Sequence, residues 1–282
     1  MNMHEYLMAK KKAMEGSGLW YLLSGLQEAD VVAAYQFMNR QSQAEALMPV
    51  CGGDYTLSLV SGGYTNPGVP TWSSDGVSIK GGLRGYSGLL NTSLNSGSSN
   101  HKSVFVRYKD QSTINQGSEG PFCLLYCSGS YSKMLMATGL GYNANPVTDD
   151  SVKAGPTLRY GSKAYYGSTK TYMKYQTGKP FLSSGVLGFV GETLYVNGVA
   201  VNCTTEEVYH ISRMNIGGEP TNINFDDGLT VTFGNGIIVN HGYIDGYYSA
   251  SSRSYTLEAA VIYNRELTTD QVVSVSTAMM QM

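Results

Sequence analysis

Three residues with reactive side chains, Asn264, Arg265 and Glu266, follow the apolar run "LEAAVIY" and precede "LTTDQVV". An amide, a guanidinium and a carboxylate side by side have the chemistry to orient a substrate or hold a proton. Asn264 and Glu266, however, lie two apart on a chain that is already turning, and the pattern names no second acid in their reach. The pattern fits a strand-to-helix corner better than an active site. Asn264 is expected to bond local backbone, and Arg265 to pair with a carboxylate or carbonyl at the domain edge. The nearest acid clusters are adjacent pairs: Asp149 with Asp150, Glu206 with Glu207, Asp226 with Asp227. Neighbours on a strand point to opposite faces, so such a pair cannot flank one bond. The histidines (His4, His101, His210, His241) have no Ser or Cys partner context, and no G-x-S-x-G elbow occurs. "HEYLM" lacks the second His of a zinc-protease helix, and no Lys-Ser/Thr follows "GLGYNA" as a phosphate loop requires. The chain is not expected to be an enzyme.

Of the four cysteines, Cys51, Cys123, Cys127 and Cys203, two fall within "PFCLLYCSG". On a strand a spacing of four places Cys123 and Cys127 on one face about 13 Å apart, too far for a disulfide or a shared metal. Buried free thiols are expected, as in a protein assembled in a reducing cytoplasm, and no cofactor is expected.

Tyrosine supplies the candidate binding surface. "LRYGSKAYYGSTKTYMKYQTGK" (158–179) interleaves Tyr160, Tyr165, Tyr166, Tyr172 and Tyr175 with Lys163, Lys170, Lys174 and Lys179. "GYIDGYYSASSRSY" adds Tyr243, Tyr247, Tyr248 and Tyr255. Tyrosine rings stack on sugars while their hydroxyls hydrogen-bond. The same residues suit a subunit interface, or strands that use tyrosine for its β propensity alone. Tyr165, Tyr166, Tyr172, Tyr175, Tyr247 and Tyr248 are the candidate glycan or subunit contacts.

The elements that would position these residues are mostly strands. Charged residues make up 14% of the 282, whereas Gly reaches 34 and Tyr 22, a mixture suited to short strands and tight turns. A net charge of −2 argues against nucleic acid. No run reaches the roughly 18 apolar residues of a membrane span, and no secretion signal is read at the start. Residues 2–15 are predicted helical, with Tyr6 and Leu7 on or near an apolar stripe and Lys10 and Lys11 beside it; "EGSG" then ends the helix. Residues 19–30 fit a strand, a linker or a short helix. In "ADVVAAYQF" (29–37), Val31, Ala33, Tyr35 and Phe37 alternate with Val32, Ala34 and Gln36. "SQAEALMPV" is a helical or loop excursion ended by Pro49, and strands then recur roughly every 10–20 residues. In "ETLYVNGVAVN" (192–202), Asn197-Gly198 predicts a type I′ hairpin. The last helix should have Thr268 as its N-cap, Asp270 in its first turn, and Val272, Val273, Val275 and Met279 inward.

"TLYVNGVAV", then "MNIGG", then "LEAAVIYNRELTTDQVVSV" resembles, in that order, the concanavalin A-like, laminin-G-like sandwich family, most clearly over 186–275. The resemblance implies an antiparallel all-β jelly-roll sandwich. The glucanases of that family carry their acids on an E-x-D-x-x-E strand, which this sequence lacks. The resemblance also raises a calcium ion at the sandwich edge, for which Asn224, Asp226 and Asp227, or Asp245, offer oxygens; these residues equally mark plain turns. "HEYLMAKKKAMEGSG" ahead of one sandwich is similar to the start of phage and prophage virion proteins such as head fibres. The expected organisation is an N-terminal helical anchor and linker over 1–28, with Tyr6, Leu7, Lys10 and Lys11 as anchor residues, and a sandwich over 29–282. The expected role is a non-enzymatic virion protein, a head fibre, capsid decoration or tail-attached protein. Its expected partners are its own copies, as a trimer, capsid or other virion proteins, and a host-surface glycan. A lectin-like module of a bacterial protein is the alternative, and a glycoside hydrolase the third.

Overall fold

The computed structural model describes residues 19–63, 68–80, 85–91, 103–110, 123–128, 134–138, 157–161, 170–175, 184–191, 193–200, 204–209, 230–235 and 254–282. The chain opens with a 3₁₀ turn at Glu28–Asp30, then β1 (Val31–Gln36), α1 (Gln43–Leu47), β2 (Cys51–Gly52) and β3 (Ser58–Gly63). Next come β4 (Thr71–Ser73), β5 (Gly76–Lys80), β6 (Gly85–Leu90), β7 (Ser103–Asp110), β8 (Cys123–Ser128) and β9 (Met134–Thr138). They are followed by β10 (Thr157–Gly161), β11 (Lys170–Tyr175), β12 (Ser184–Val190), β13 (Thr193–Val196), β14 (Val199–Ala200) and β15 (Thr204–Tyr209). The chain closes with β16 (Thr230–Asn235), β17 (Ser254–Tyr263) and α2 (Thr269–Gln281). The expected helix over 2–15, the anchor residues Tyr6, Leu7, Lys10 and Lys11, and the "MNIGG" strand lie outside the described residues.

The strands form an antiparallel β-sandwich. One sheet has the order β14-β13-β12-β7-β17-β1-β2, with β5 also on β17 and β4 on β5. The other runs β15-β11-β10-β9-β8-β16-β6-β3. Between them Tyr35, Val104, Val106, Phe189, Leu257 and Ile262 of the first sheet, with Phe37 just past the end of β1, meet Leu89 and Phe233 of the second. Tyr35 stacks on Phe37 with centroids 5.8 Å apart, and Phe233 meets Tyr35 edge-on at 5.8 Å. Such aromatic pairs add to what burial alone supplies.

A third layer covers the outside of the first sheet. Trp20, Tyr21, Leu23 and Leu26, a strap without a strand, pack with Val272, Val275 and Met279 of α2 onto Phe105, Val186, Val261 and Tyr263. Residues 259–263 of β17 are therefore buried on both faces, where sequence alternation suggests one buried face. Val273, expected inward, is 45% exposed: the buried stripe runs through 272, 275 and 279, and position 273 falls about 100° off it.

Two bulges set which residues reach which layer. Pairing of β1 with β17 slips between Val31 and Ala33, so Val31 joins the outer cluster while Ala33, Tyr35 and Phe37 join the inner one. Simple alternation puts all four together, and the extra residue Val32 separates them. Pairing of β17 with β7 slips at Glu258, which sends Leu257 inward and Ala259 outward. The Asn197-Gly198 hairpin forms as predicted, with φ of 51° and 80°. Its tip meets α2, and a Cβ on Gly198 would stand 3.2 Å from both the Val273 Cα and the Ser276 Cβ.

Candidate functional site

The strand-to-helix corner at 258–271 is a joint. Arg265 Nε pairs with the Asp30 carboxylate at 3.0 Å, as the sequence suggests. Asn264 bonds backbone, but far away in sequence: its side-chain amide donates to the Ala29 carbonyl at 2.7 Å. The buried Ser103 hydroxyl donates to the Arg265 carbonyl at 3.0 Å and accepts from the Leu267 N–H at 2.9 Å. Thr268 and Gln271 form a capping box at the start of α2. Gln271 also donates to the Ser24 carbonyl of the strap at 3.2 Å. Tyr263 donates to the Tyr21 carbonyl at 3.0 Å; burial holds its phenol well above the ordinary tyrosine range, and Cys51 and Asp30 add to the rise. Burial likewise raises the free thiol of Cys51, with Glu28 contributing. These groups fasten strap, strand and helix together. Glu266 is exposed and lies beside Gly191.

Beneath α2 the bulge brings Glu258 to Arg107 at 2.6 Å, with side chains only 12% and 17% exposed. Arg107 also donates to the carbonyl of Met279 in the last turn of α2, one of the carbonyls a helix leaves unpaired. This acid is bound to a structural partner. Among the described residues no group of three or more His, Cys, Asp or Glu is placed to hold a metal ion. Nor is any described helix long and apolar enough to cross a membrane.

A different kind of surface arises where the core ends. Strand β12 lies against β9 of the opposite sheet, and among the described residues the first sheet continues beyond β12 with β13 and the two-residue β14 alone. Val199 and Ala200 of β14 are successive and both exposed, so neither face of that strand is covered. Leu194 on β13 is still fully buried. Among the described residues, the first sheet thus contributes core no further than β13. The second sheet carries on past β9 through β10, β11 and β15.

The register of the second sheet records the same boundary in its composition. Leu59, Leu89, Phe233, Leu125, Ala137 and Leu158 form one cross-strand row on the face of the core residue Phe233, and it continues as Lys174 and Thr205. The neighbouring row runs Val231, Cys127, Leu135 and Tyr160, then Tyr172 and Glu207. Both rows turn from apolar to polar on reaching β11. On that ledge Tyr172 has Tyr160 and Glu207 as cross-strand neighbours, and Lys170 and Lys174 lie two positions away along its own strand. Tyr209 pairs with Lys170 on the same face.

Of the tyrosines singled out in the sequence, Tyr172 and Tyr175 are in β11, while Tyr165, Tyr166, Tyr247 and Tyr248 lie outside the described residues. Tyr172 and Tyr175 are three apart, so they occupy opposite faces of the sheet. Tyr175 shares its face with the row Tyr126, Met136, Arg159, Met173 and Glu206. Tyr160, Lys170 and Lys174 stand in the tyrosine-rich stretch of the sequence, but Glu207 and Tyr209 join them only through the pairing of β15 with β11, which no local pattern signals. Glu206 and Glu207 fall on opposite faces of β15, as neighbours on a strand must. The Asp149/Asp150 and Asp226/Asp227 pairs and Asn224 and Asp245, raised for calcium, lie outside the described residues, as do His4, His101, His210 and His241. Between Cys123 and Cys127 the pairing of β8 with β9 slips, so the simple count of four residues on a regular strand does not apply.

No protein-family model matches the chain, and no curated protein matches its sequence. Solved structures similar to it include the binding domain of botulinum neurotoxin DC in complex with SialylT, at 9% identity and a TM-score of 0.49, covering 89% of this chain and 52% of that one. The botulinum neurotoxin serotype C1 binding domain matches at 10% identity and 0.48, over 89% and 52%. Domain 4 of AbnA, a GH43 extracellular arabinanase from Geobacillus stearothermophilus, in complex with arabinotriose, matches at 13% identity and 0.44, over 89% and 100%. The chain spans about half the length of the neurotoxin binding domains that it matches.

Proposed function

We propose that the chain is a non-catalytic, lectin-like module that binds carbohydrate on the ledge centred on Tyr172. The observation that carries this reading is the change in the rows of the second sheet at the end of the core. An apolar row gives way to tyrosines bracketed by lysine, glutamate and threonine, and among the described residues no strand of the first sheet follows β14 on that side. Tyrosine rings offer flat apolar faces to the C–H side of a sugar, and flanking charged groups supply the directional bonds that orient its hydroxyls. The described acids paired at the corner and under α2 already hold arginines, which leaves them to structure.

The test is a glycan array followed by titration of the best binder. Tyr172→Ala should weaken binding at least tenfold, and Tyr175→Ala, on the opposite face, should leave it within about twofold. No reducing ends should be released. A blank array with folded protein, or release of reducing ends, would overturn the reading.

Such a module would also serve the phage head fibre, capsid decoration or tail-attached role, in trimeric form and with residues 1–18 as the link to the particle. What favours this reading is the strap: Trp20–Leu26 is fastened to the sandwich, so a link at its N-terminal end would join the domain at a fixed point. Deleting residues 1–18 should abolish particle association; docking by the truncated protein would overturn it.

A further inference from the structure

We propose that the ledge selects anionic carbohydrate, a sugar that bears a carboxylate or sulfate on its ring; this rests on the carbohydrate reading above and names its ligand class. On β11, Lys170 and Lys174 lie two residues before and two after Tyr172 on the same face, each about 6.5–7 Å along the strand. The aromatic position is thus bracketed by two cationic ones. The acid on this face of β11 and β15 is Glu207, directly across from Tyr172 and diagonal to both lysines. One carboxylate can neutralise one lysine, so the face keeps a surplus positive charge in a chain whose net charge is −2. The reverse face differs. There one row carries Arg159 and Glu206 at the positions on either side of Met173, one formal charge of each sign. A neutral sugar would require no surplus cation beside the stacking ring. A sugar whose ring stacks on Tyr172 and whose acid group reaches a lysine about one residue pair away uses both features. The stacking supplies affinity for the ring, and the charge-assisted bond selects the acid.

The experiment uses the full chain, a uronic-acid-containing oligosaccharide, its carboxyl-reduced neutral counterpart and a sulfated analogue, titrated at low salt and at 0.5 M NaCl. The expected result is a roughly tenfold preference for the acidic forms over the neutral one, shrinking at high salt. Lys174→Gln and Lys170→Gln should each reduce that preference, weakening the acidic forms more than the neutral one. Glu207→Gln, which removes the one acid from this face of β11 and β15, should raise acid affinity about threefold. Tyr172→Ala should weaken acidic and neutral forms alike. Equal wild-type binding of acidic and neutral forms, with Tyr172→Ala weakening both, would overturn the anionic class and leave the carbohydrate reading standing. Binding that Tyr172→Ala leaves intact would overturn the ledge itself. Tighter binding of a single-stranded oligonucleotide than of any sugar would overturn the proposal as well.

Discussion

Glu258 shows how one extra residue fixes several others. As the additional residue of the bulge, it hands its carbonyl to the N–H groups of Phe37 and Met38 at 2.9 and 3.2 Å and its carboxylate to Arg107. Arg107 in turn caps α2 at Met279. A mostly buried pair is weak evidence for net stability, because taking both charges out of water offsets their attraction. Removing one partner is another matter, since it strands a charge. Arg107→Met should therefore cost about 3–5 kcal/mol, and Arg107→Met with Glu258→Leu should recover most of that loss. Guanidinium denaturation of the single and double variants measures this coupling. Additive losses in the double variant would mean that the two side chains do not act as a unit. The sequence marks Arg107 only as the polar member of an alternating strand. It offers no sign of the bulge that brings Glu258 beneath the helix, because a bulge is a mismatch between two strands and leaves no periodic trace in either.

At the scale of elements, the β13–β14 hairpin and α2 lock together through their turns. Asn197 accepts from the Val186 N–H at 2.8 Å with its side chain and donates to the Val186 carbonyl at 2.8 Å with its backbone. The turn therefore clips β12 as well as joining β13 to β14. Gly198, at φ 80°, has helix backbone close above it, so a side chain there meets strain from its own dihedral and from α2. Gly198→Ala should destabilise by about 2 kcal/mol, the sum of a left-handed alanine and a displaced helix. Asn197→Gly, which keeps the turn and loses one side-chain bond, should cost about 1 kcal/mol. Thermal unfolding separates them, and equal losses would mean that α2 does not press on the hairpin. This element was legible in sequence because a two-residue turn demands positive φ and Asn-Gly supplies it locally. The helix start was legible for the same reason, Thr268 being a local cap. The ledge was legible only in part: the tyrosine-lysine stretch is visible, but whether Tyr172 and Tyr175 share a face depends on strand bounds, and Glu207 enters through pairing across a long connection.

For the whole molecule, the consequential layer is the one least visible in sequence. The strap 19–27 has no regular structure beyond turns, hence no periodicity to read, and its apolar residues fit a strand, linker or short helix equally well. Its burial is decided by what it covers. Trp20, Tyr21, Leu23 and Leu26 lie over Phe105, Val186, Val261 and Tyr263, and the strap is pinned by the Tyr263 and Gln271 side chains. Each of these apolar side chains gains roughly 1.5–3 kcal/mol on burial, less the entropy of ordering the segment. Removing residues 1–18 should consequently leave the unfolding midpoint within about 1 °C, because Leu19 at their junction is already exposed. Removing residues 1–27 should cost about 2–5 kcal/mol and uncover an apolar strip along β7 and β17, seen as a lower midpoint and new binding of a hydrophobic dye. If the longer truncation matched the shorter one in midpoint and dye binding, the strap would be an ornament on a two-layer sandwich. If they differ as expected, the folded unit begins at the strap, and particle-association assays on the two truncations then report different things: the first tests a link, the second a damaged fold.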